Sequence, residues 1–277
     1  MTTATTTLDT AITDVAQHRL RVRTASARIP LTRLVAVELR KMLDTRSGFW
    51  LVASIGISAV LATVGVIVFA ADDDLTYSTF ATAIRFPVVV ILPLIAILAV
   101  TSEWTQRTGL TTFTLVPHRQ RVITAKAISS VIVAVAAMAL TFAVGAVGNV
   151  VGAAVKDRPP VWDVSLTQCL YYVLGMVLSL LVGFMLGVLI RASTGALVAY
   201  FVYTFLVPTA FGLLADNQQG FRDIQAWVDM QFAQSGLFIF QTTLTGQQWA
   251  QIGVSALIWL VAPLLLGLRL ALRAEVK

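Results

Sequence analysis

The stretch AISSVIVAVAAMALTFAVGAVGNVVGAAV, residues 127–155, contains no charged side chain and decides the fold class of the chain. As a helix rising about 1.5 Å per residue, it would be about 43 Å long, more than the roughly 30 Å hydrocarbon core of a bilayer. A charge at mid-bilayer costs about 2.5 kcal/mol or more, so a run of this length without one predicts a transmembrane helix. A barrel strand is excluded because the run lacks alternating polarity.

Five further runs share this apolar character, so we predict six spans. They cover residues 49–70, 80–102, 127–155, 164–190, 192–215 and 249–268. The second run is charge-free only from Phe86, and it reaches full length only if it includes Arg85. The prediction is an all-α, polytopic membrane domain over residues 48–277, preceded by an N-terminal tail and an amphipathic helix.

The composition agrees with this class and excludes several functions. Of the 277 residues, 57% are hydrophobic and 12% are charged, against about 25% charged in a soluble domain. One cysteine, Cys169, cannot form an internal disulfide, and two separate histidines, His18 and His118, do not make a metal site. No Gly is followed by Lys, so a P-loop is absent. We therefore predict no catalytic residue, no metal and no cofactor in this chain.

The distribution of basic residues predicts the orientation. With six spans laid out in order, all but four of the 20 basic residues fall on one side of the membrane. The exceptions are Arg85, Lys156, Arg158 and Arg222, which share their side with Asp72, Asp73, Asp74, Asp157, Asp163, Asp216, Asp223 and Asp229. Because Lys and Arg are retained on the cytoplasmic side, both termini are predicted to be cytoplasmic. The formal charge of +6 thus reflects orientation and gives no indication of nucleic-acid binding.

The segment before the first span divides into two parts. Residues 1–29 lack the apolar core of a signal peptide and are predicted to be a disordered cytoplasmic tail. Residues 30–47 begin with Pro30 and are predicted to form an amphipathic helix along the inner membrane surface, turning into span one at Ser47 and Gly48. Its apolar residues recur at helical spacing: Leu31, Leu34, Val35, Leu39, Met42 and Leu43. Its basic residues could anchor to anionic lipids or dock a cytoplasmic partner.

Residues 216–248 are predicted to form an extracytoplasmic lid, since the QTTLTGQQ stretch from Gln241 is too polar for a seventh crossing. An ordinary solvated loop is the alternative. The segment has one amphipathic pattern, with Phe221, Ile224, Val228 and Phe232 opposite Arg222, Asp223, Gln225 and Asp229.

Two polar residues inside the spans are candidates for a substrate pathway. Arg85 either snorkels outward or contacts an anionic or polar substrate, and Asn149 either makes an interhelical hydrogen bond or contacts substrate. Small residues in two GxxxG patterns predict close helix packing, at Gly148, Gly152, Gly183 and Gly187. Prolines within or beside the spans predict kinks, at Pro87, Pro93, Pro208 and Pro263.

Two cytoplasmic segments carry a family resemblance. They are ELRKMLDTRSGFW (residues 38–50) and SEWTQRTGLTTFTLVPHRQRVITAK (residues 102–126). With the six-span layout, they resemble the integral membrane permease of type-2 ATP-binding-cassette exporters. The first is similar to the connecting helix of that family. The second is similar to its pattern of a Glu closing span two, an aromatic, a basic residue, a Gly or Thr turn, a short helix, Pro, basic residues and Ala-Lys. It departs at Trp104 and at Thr108-Gly109, where Tyr and Gly-Thr are more usual.

The resemblance implies a coupling helix within residues 106–116 of a cytoplasmic coupling loop, 103–126, that docks a separate ATPase subunit. It implies coupling roles for Glu103, Arg107, Thr108, Gly109, Arg119 and Arg121, and connecting-helix roles for Glu38, Arg40 and Lys41. For Glu103, an ion pair with Arg107 at i, i+4 is the alternative. The implied partners are the ATPase with its ATP and Mg²⁺, a second identical or different permease, and membrane lipids.

The function implied is ATP-driven export of a drug, lipid, peptide or other small molecule across the plasma (inner) membrane of a bacterium. Two alternatives remain at the level of sequence. One is a secondary transporter or channel without an ATPase, which should have inverted repeats or interrupted helices with intramembrane charges. The other is a membrane sensor or scaffold that does not transport.

Overall fold

The structure is a computed structural model that describes residues 29–105, 119–240 and 243–273. Apart from a single bridge between Thr76 and Val161, every regular element in these ranges is helical. The helices are α1 (Leu31–Asp44), α2 (Arg46–Phe69), α3 (Tyr77–Thr105), α4 (Arg119–Val155), α5 (Leu166–Ile190), α6 (Ser193–Asn217), α7 (Gln219–Val228), α8 (Met230–Gln234) and α9, which begins at Gly246 and ends at Arg273. Short 3₁₀ turns cover Asp72–Asp74 and Ser235–Phe238.

Six of these helices are long and apolar enough to cross a membrane, which confirms the predicted number. The apolar stretches are Gly48–Phe69, Tyr77–Ser102, Gln120–Val155, Leu166–Ile190, Ser193–Asn217 and Gly246–Leu270. Their ends agree closely with the predicted spans except at α4, which begins well before residue 127. Lys126, which was expected in the loop, belongs to this helix. Its side chain is buried, and its ammonium group is paired with Glu38 of α1. The fold is that of a multi-pass membrane protein.

Helix α3 lies at the centre of the bundle and packs against α2, α4, α5 and α6. It contains two prolines, Pro87 and Pro93. A proline has no N–H, so Pro93 leaves the carbonyl of Val89 without its helical partner. The hydroxyl of Tyr200 on α6 donates to that carbonyl at 2.9 Å. A neighbouring helix thus satisfies a group that would be costly in hydrocarbon.

The other two prolines follow wide helical turns. Residues Val202–Leu206 of α6 form a π turn just before Pro208, and Leu257–Val261 of α9 form another just before Pro263. A proline ring clashes with the carbonyl four residues earlier, and a wider turn accommodates it. Both turns lie near the middle of their helices, so α6 and α9 each widen there while the helix continues.

Two glycines set the approach of α4 to its neighbours. A Cβ at Gly148 would collide with the Thr63 methyl and would lie 3.0 Å from the Phe80 ring. One turn later, a Cβ at Gly152 would lie 3.2 Å from Phe80 and 3.3 Å from Ile67. These glycines therefore let α4 contact both α2 and α3, as the first GxxxG pattern predicts.

The second glycine pair sets the approach of α5 to α3. A Cβ at Gly183 would lie 2.7 Å from both the Cβ and the carbonyl oxygen of Pro93. A Cβ at Gly187 would lie 3.2 Å from the Cβ of Val100. The tightest contact is therefore backbone against backbone at Gly183, where a larger side chain has nowhere to move.

The turn from α1 into α2 is two to three residues earlier than predicted. Helix α1 ends at Asp44 and α2 begins at Arg46, with Thr45 as the cap between them. The Thr45 hydroxyl accepts a hydrogen bond from the Gly48 N–H at 3.2 Å. A Cβ at Gly48 would meet the Met42 carbonyl. The Ser47-Gly48 pair therefore lies inside α2, and its glycine makes the close approach to α1 possible.

The described part of the predicted lid that follows α6, residues 218–240, turns back along the bundle. Helix α7 turns back along α6, with the Phe211 and Phe221 rings 5.4 Å apart. The tip that follows α7 contacts the two π turns: the Trp259 indole donates to the Val228 carbonyl at 2.6 Å, and the Gln231 amide donates to the Tyr203 carbonyl at 2.7 Å. At about 1.5 Å per residue, Tyr203 and Trp259 lie about 20 Å along α6 and α9 from the ends that flank this segment. The segment is a re-entrant hairpin.

The predicted amphipathic faces are reversed at four residues of the hairpin, while Arg222 and Asp223 are exposed as predicted. Gln225 and Asp229, expected to face water, are buried, whereas Ile224 and Phe232 are half-exposed. The reversal has a physical reason: inside a membrane domain the polar groups find partners in the protein interior and the apolar ones face hydrocarbon. The Asp229 carboxylate, for example, accepts the N–H groups of Gln231 and Phe232 and so caps α8.

We expect Gly183→Ala to lower the thermal unfolding midpoint of the detergent-solubilised protein. The added methyl would overlap the Pro93 backbone, and overpacking of this kind costs about 1–3 kcal/mol. The measurement is the temperature at which the monodisperse protein is lost on size exclusion. Gly65→Ala is the matched control, since a Cβ at Gly65 meets nothing within 4 Å. Equal midpoints for the two variants would contradict the proposed contact.

Candidate functional site

An acidic residue lies in the apolar stripe of α1. Leu34, Glu38 and Met42 are spaced four residues apart and therefore share one face of the helix. Glu38 is 5% exposed and Met42 is 7% exposed, whereas Arg40 lies on the exposed side. Placing a carboxylate in this stripe is costly unless a cation meets it inside the protein.

The cation that meets Glu38 is Lys126 of α4. Its Nζ lies 2.6 Å from Glu38 Oε2 and donates at 3.0 Å to the carbonyl of Ala99 in α3. Lys41 of α1 lies 2.8 Å from the other carboxylate oxygen and remains half-exposed. The buried ammonium thus joins α1, α3 and α4 at one point. We call the three residues Glu38, Lys126 and Ala99 the helix lock.

The electrostatics of the helix lock favour the charged pair. Burial raises the pKa of Glu38, but the Lys126 charge and the hydrogen bonds from Lys126 and Lys41 outweigh it, so the pKa lies below its ordinary value of 4.5. Both side chains are less than a tenth exposed, which leaves little water to replace a lost partner. Removing either charge would therefore leave the other buried and unpaired.

Two further contacts tie the same end of the bundle, which we call the α1 end. The Arg121 guanidinium donates to the Ile29 carbonyl at 2.7 Å, connecting α4 to the start of α1. The hydroxyls of Thr101 and Ser193 are 2.8 Å apart and connect α3 to α6. These contacts surround the two helix ends that flank residues 106–118.

Some of the residues implied by the family resemblance belong to the described helices at this end. Arg107, Thr108 and Gly109 lie outside the described residues. Glu103 lies near the end of α3 and Arg119 is the first residue of α4. The predicted loop 103–126 is shorter than expected, because residues 103–105 belong to α3 and residues 119–126 to α4.

The opposite end of the bundle is joined by a second set of contacts. Asn149 is buried, and its amide donates at 2.9 Å to the carbonyl of Val161 in the α4–α5 connection. Ser78 of α3 donates through its N–H, at 2.9 Å, and its hydroxyl to the carboxylate of Asp163. Exposed ion pairs link the same connections: Lys156 with Asp72, and Arg158 with Asp73. Asn149 therefore bonds a connecting segment, where a helix was expected.

Arg85 lies beside the ring of Phe238 in the hairpin. It is half-buried, its Nε is shielded from solvent, and its guanidinium carbon lies 5.0 Å from the centre of the Phe238 ring. The side chain lines a small interior cavity together with Thr141 and Tyr172. Outward snorkelling and substrate contact both stay predictions.

Sequence reasoning missed a group of buried polar side chains in the hairpin. Gln225, Asp229 and Gln234 are all less than a tenth exposed, and among the described residues the Gln234 Oε1 and the Tyr203 hydroxyl have no hydrogen-bond partner. Gln225 and Asp229 are four residues apart, so they share a helix face. That spacing is as typical of a buried polar face as of a face exposed to water.

Comparisons with known proteins add nothing to this geometry. No protein-family model matches the chain, and no curated protein matches it. Across residues 29–105, 119–240 and 243–273, no three His, Cys, Asp or Glu side chains form a group that could hold a metal.

We expect Lys126→Met to destabilise the protein by about 3–5 kcal/mol, because it leaves the Glu38 carboxylate buried and unpaired. The double variant Glu38→Leu with Lys126→Met should recover most of the loss, since no charge then remains in the helix lock. Heat-induced loss of monodisperse protein measures both. Arg158→Met is the control: its pair with Asp73 is exposed and worth about 0–1 kcal/mol. A double variant no more stable than Lys126→Met would argue against the pairing.

The lowered pKa of Glu38 predicts acid sensitivity. A carboxyl whose folded-state pKa is depressed contributes stability that is present above its ordinary pKa of 4.5 and is lost as the pH falls through the folded-state value. We expect the wild-type unfolding midpoint to fall across that range, and Glu38→Gln, although less stable at neutral pH, to show a shallower fall. Parallel curves for the two proteins would show that Glu38 does not contribute to the acid response.

Proposed function

We propose that this chain is the membrane-spanning permease subunit of a type-2 ATP-binding-cassette exporter, located in the plasma membrane of a bacterium with both termini in the cytoplasm. The observation that carries the proposal is the helix lock, which joins α1, α3 and α4 beside the helix ends flanking residues 106–118. The loop sequence and its resemblance supply the partner: a separate ATPase subunit that holds ATP and Mg²⁺.

The helix lock makes the α1 end suitable for transmitting a displacement of the coupling loop by the ATPase. A force on the coupling loop acts on the end of α3 and the start of α4, and the lock carries α1 with them. Interiors are closely packed and transmit such displacements. Helix α3 packs against α2, α5 and α6, so its movement reaches most of the bundle.

The interior offers places where this movement can be taken up. The two π turns lie in the middle of α6 and α9, and the hairpin tip is hydrogen-bonded to both turns. π turns inside α-helices occur frequently at functional sites. In the proposed mechanism, association of two ATPase subunits shifts the population from an inward-open to an outward-open arrangement of two permease chains. The second permease is either identical or different.

A secondary transporter is the second candidate, and the hairpin is compatible with it. A re-entrant segment and charged side chains within the bundle, such as the half-buried Arg85 and the buried Asp229, are features of ion-coupled transporters. These features are equally compatible with an ATP-driven permease, whereas a secondary transporter leaves the sequence of the coupling loop and the helix lock without a partner. Both candidates place transport in the same bundle and differ in the energy source.

We expect the tagged chain, solubilised from its native host, to bring down an ATPase subunit. Purification followed by mass spectrometry measures this, and Arg158→Ala at the opposite end serves as the matched control for Arg107→Ala in the loop. Loss of the ATPase with Arg107→Ala alone would support docking at the loop. Recovery of the folded chain without any ATPase, together with ion-dependent transport by the chain alone in vesicles, would favour the secondary transporter.

The same complex, once reconstituted, tests the role of Glu103. Glu103→Ala should leave insertion intact and lower the amount of substrate moved per ATP hydrolysed by about tenfold, within the usual range of coupling between sites. Wild-type coupling in that variant would remove Glu103 from the mechanism without affecting the assignment of the ATPase partner.

A further inference from the structure

Arg85 borders a cavity of about 10 Å³ between α3, α4 and α5. This volume is about the space of one water molecule. The wall is mostly apolar and includes Met138 and Met176, with Thr141 and Tyr172 as polar members. Arg85 lies eight residues from the start of α3, which places it about 12 Å along the helix. The cavity is therefore inside the bundle, where a charge is costly.

The guanidinium has no neutralising partner in the part of the chain that the structure describes. Its Nε is buried without a hydrogen bond, and its recorded contact is with the face of the Phe238 ring. The Tyr172 hydroxyl donates to the Ala81 carbonyl at 3.1 Å, so that group already has a partner. Lys126 shows how this protein satisfies a buried cation for structural purposes, with a carboxylate and a carbonyl. Arg85 lacks both.

Phe238 closes the site in this arrangement. It belongs to the 3₁₀ turn Ser235–Phe238 on the returning side of the hairpin. Its ring lies over Gly175, where a Cβ would be 2.6 Å from the Phe238 Cζ, and it meets the Tyr172 ring at 5.3 Å and 90°. A single aromatic ring thus covers the cation. Withdrawal of this short turn would expose both the guanidinium and the apolar wall beside it.

We infer that Arg85 binds the anionic group, carboxylate or phosphate, of an amphipathic substrate whose apolar part lies along Met138 and Met176 after Phe238 moves away. The planar guanidinium matches both anions through paired N–H donors. Methionine side chains adapt to apolar groups of varied shape. The inference rests on the proposed transport function and names the substrate class that the function leaves open.

An ion pair formed on binding would remove the cost of two separate charges. The empty protein carries an unpaired cation, and an anion entering hydrocarbon alone is equally unfavourable. Cationic and neutral amphiphiles gain nothing from Arg85. The shared chemistry fits either a soluble single-chain amphiphile or a two-chain lipid with an anionic headgroup, and the test includes both.

The experiment uses the purified full chain in a neutral dodecyl maltoside detergent and measures its thermal midpoint with added probes. Single-chain anionic amphiphiles are tested with dodecyl phosphate and dodecanoate, and a two-chain anionic lipid with dioleoyl phosphatidate. The opposite charge is tested with dodecyltrimethylammonium, and the headgroup alone with inorganic phosphate. We expect a saturable rise of roughly 3 °C or more with at least one anionic amphiphile and none with the cationic one. Equal rises for both signs of charge, or with inorganic phosphate alone, would overturn the inference.

Arg85→Met separates binding from structure. We expect it to abolish the rise, while its midpoint without probe equals or exceeds that of the wild type, because a half-buried charge without an ion-pair partner is removed. Arg222→Met is the control: Arg222 donates to the Ala215 and Asp216 carbonyls near the hairpin entrance, and its loss should leave the rise unchanged. A full rise in Arg85→Met would place binding elsewhere.

A second variant keeps the inference testable if Arg85→Met does not fold. Phe238→Leu removes the ring that covers the guanidinium, so the concentration of dodecyl phosphate needed for half the rise should fall severalfold. Unchanged or weaker binding would contradict the role of Phe238 and of the cavity. Because the assay contains no ATPase, loss of the anion response with ATPase still co-purifying would overturn this inference alone. An anion response by a chain that brings down no ATPase would overturn the proposed ATP-driven function alone.

Discussion

In hydrocarbon a backbone carbonyl without a hydrogen-bond partner costs several kcal/mol, and this constraint explains the irregular parts of the bundle. Pro93 frees a carbonyl in the central helix, and the Tyr200 hydroxyl bonds it from α6. Pro208 and Pro263 are each preceded by a π turn. The re-entrant hairpin lies against those turns, with side-chain donors meeting carbonyls on both sides. Breaks in the helices and the segment that fills them form one connected arrangement.

A buried lysine and a half-buried arginine in the same bundle illustrate the difference between structure and function. Lys126 meets a carboxylate and a carbonyl at hydrogen-bond distances, and its contacts join three helices. Arg85 faces an aromatic ring and a small cavity. The contacts of Lys126 contribute rigidity at the helix ends of α3 and α4 that flank residues 106–118. The arrangement at Arg85 retains an unsatisfied charge about midway between the bundle end and its centre, which is understandable if a ligand completes it.

These contacts hold the two ends of the bundle together and leave an interior with fewer satisfied polar groups. The helix lock, Arg121 and Thr101 hold the α1 end together, and the contacts of Ser78 and Asp163 hold the connections at the opposite end. Between them lie the π turns, the hairpin tip and buried polar atoms that have no partner among the described residues. Transport requires a domain whose ends move as units while the interior changes its contacts, and this distribution provides both.

The sequence by itself determined the helical class, the number of spans and nearly all their ends, because the cost of a charge in hydrocarbon is local and can be read from charge-free runs. The glycine contacts followed from the same kind of local pattern. Only the tertiary structure decided that Glu38 is buried, that α4 begins before Lys126, and that the hairpin tip at Val228 and Gln231 enters the bundle. Each of these depends on a partner distant in sequence, such as Lys126 for Glu38 or Trp259 for Val228, and the same amphipathic pattern faces water or protein according to that partner.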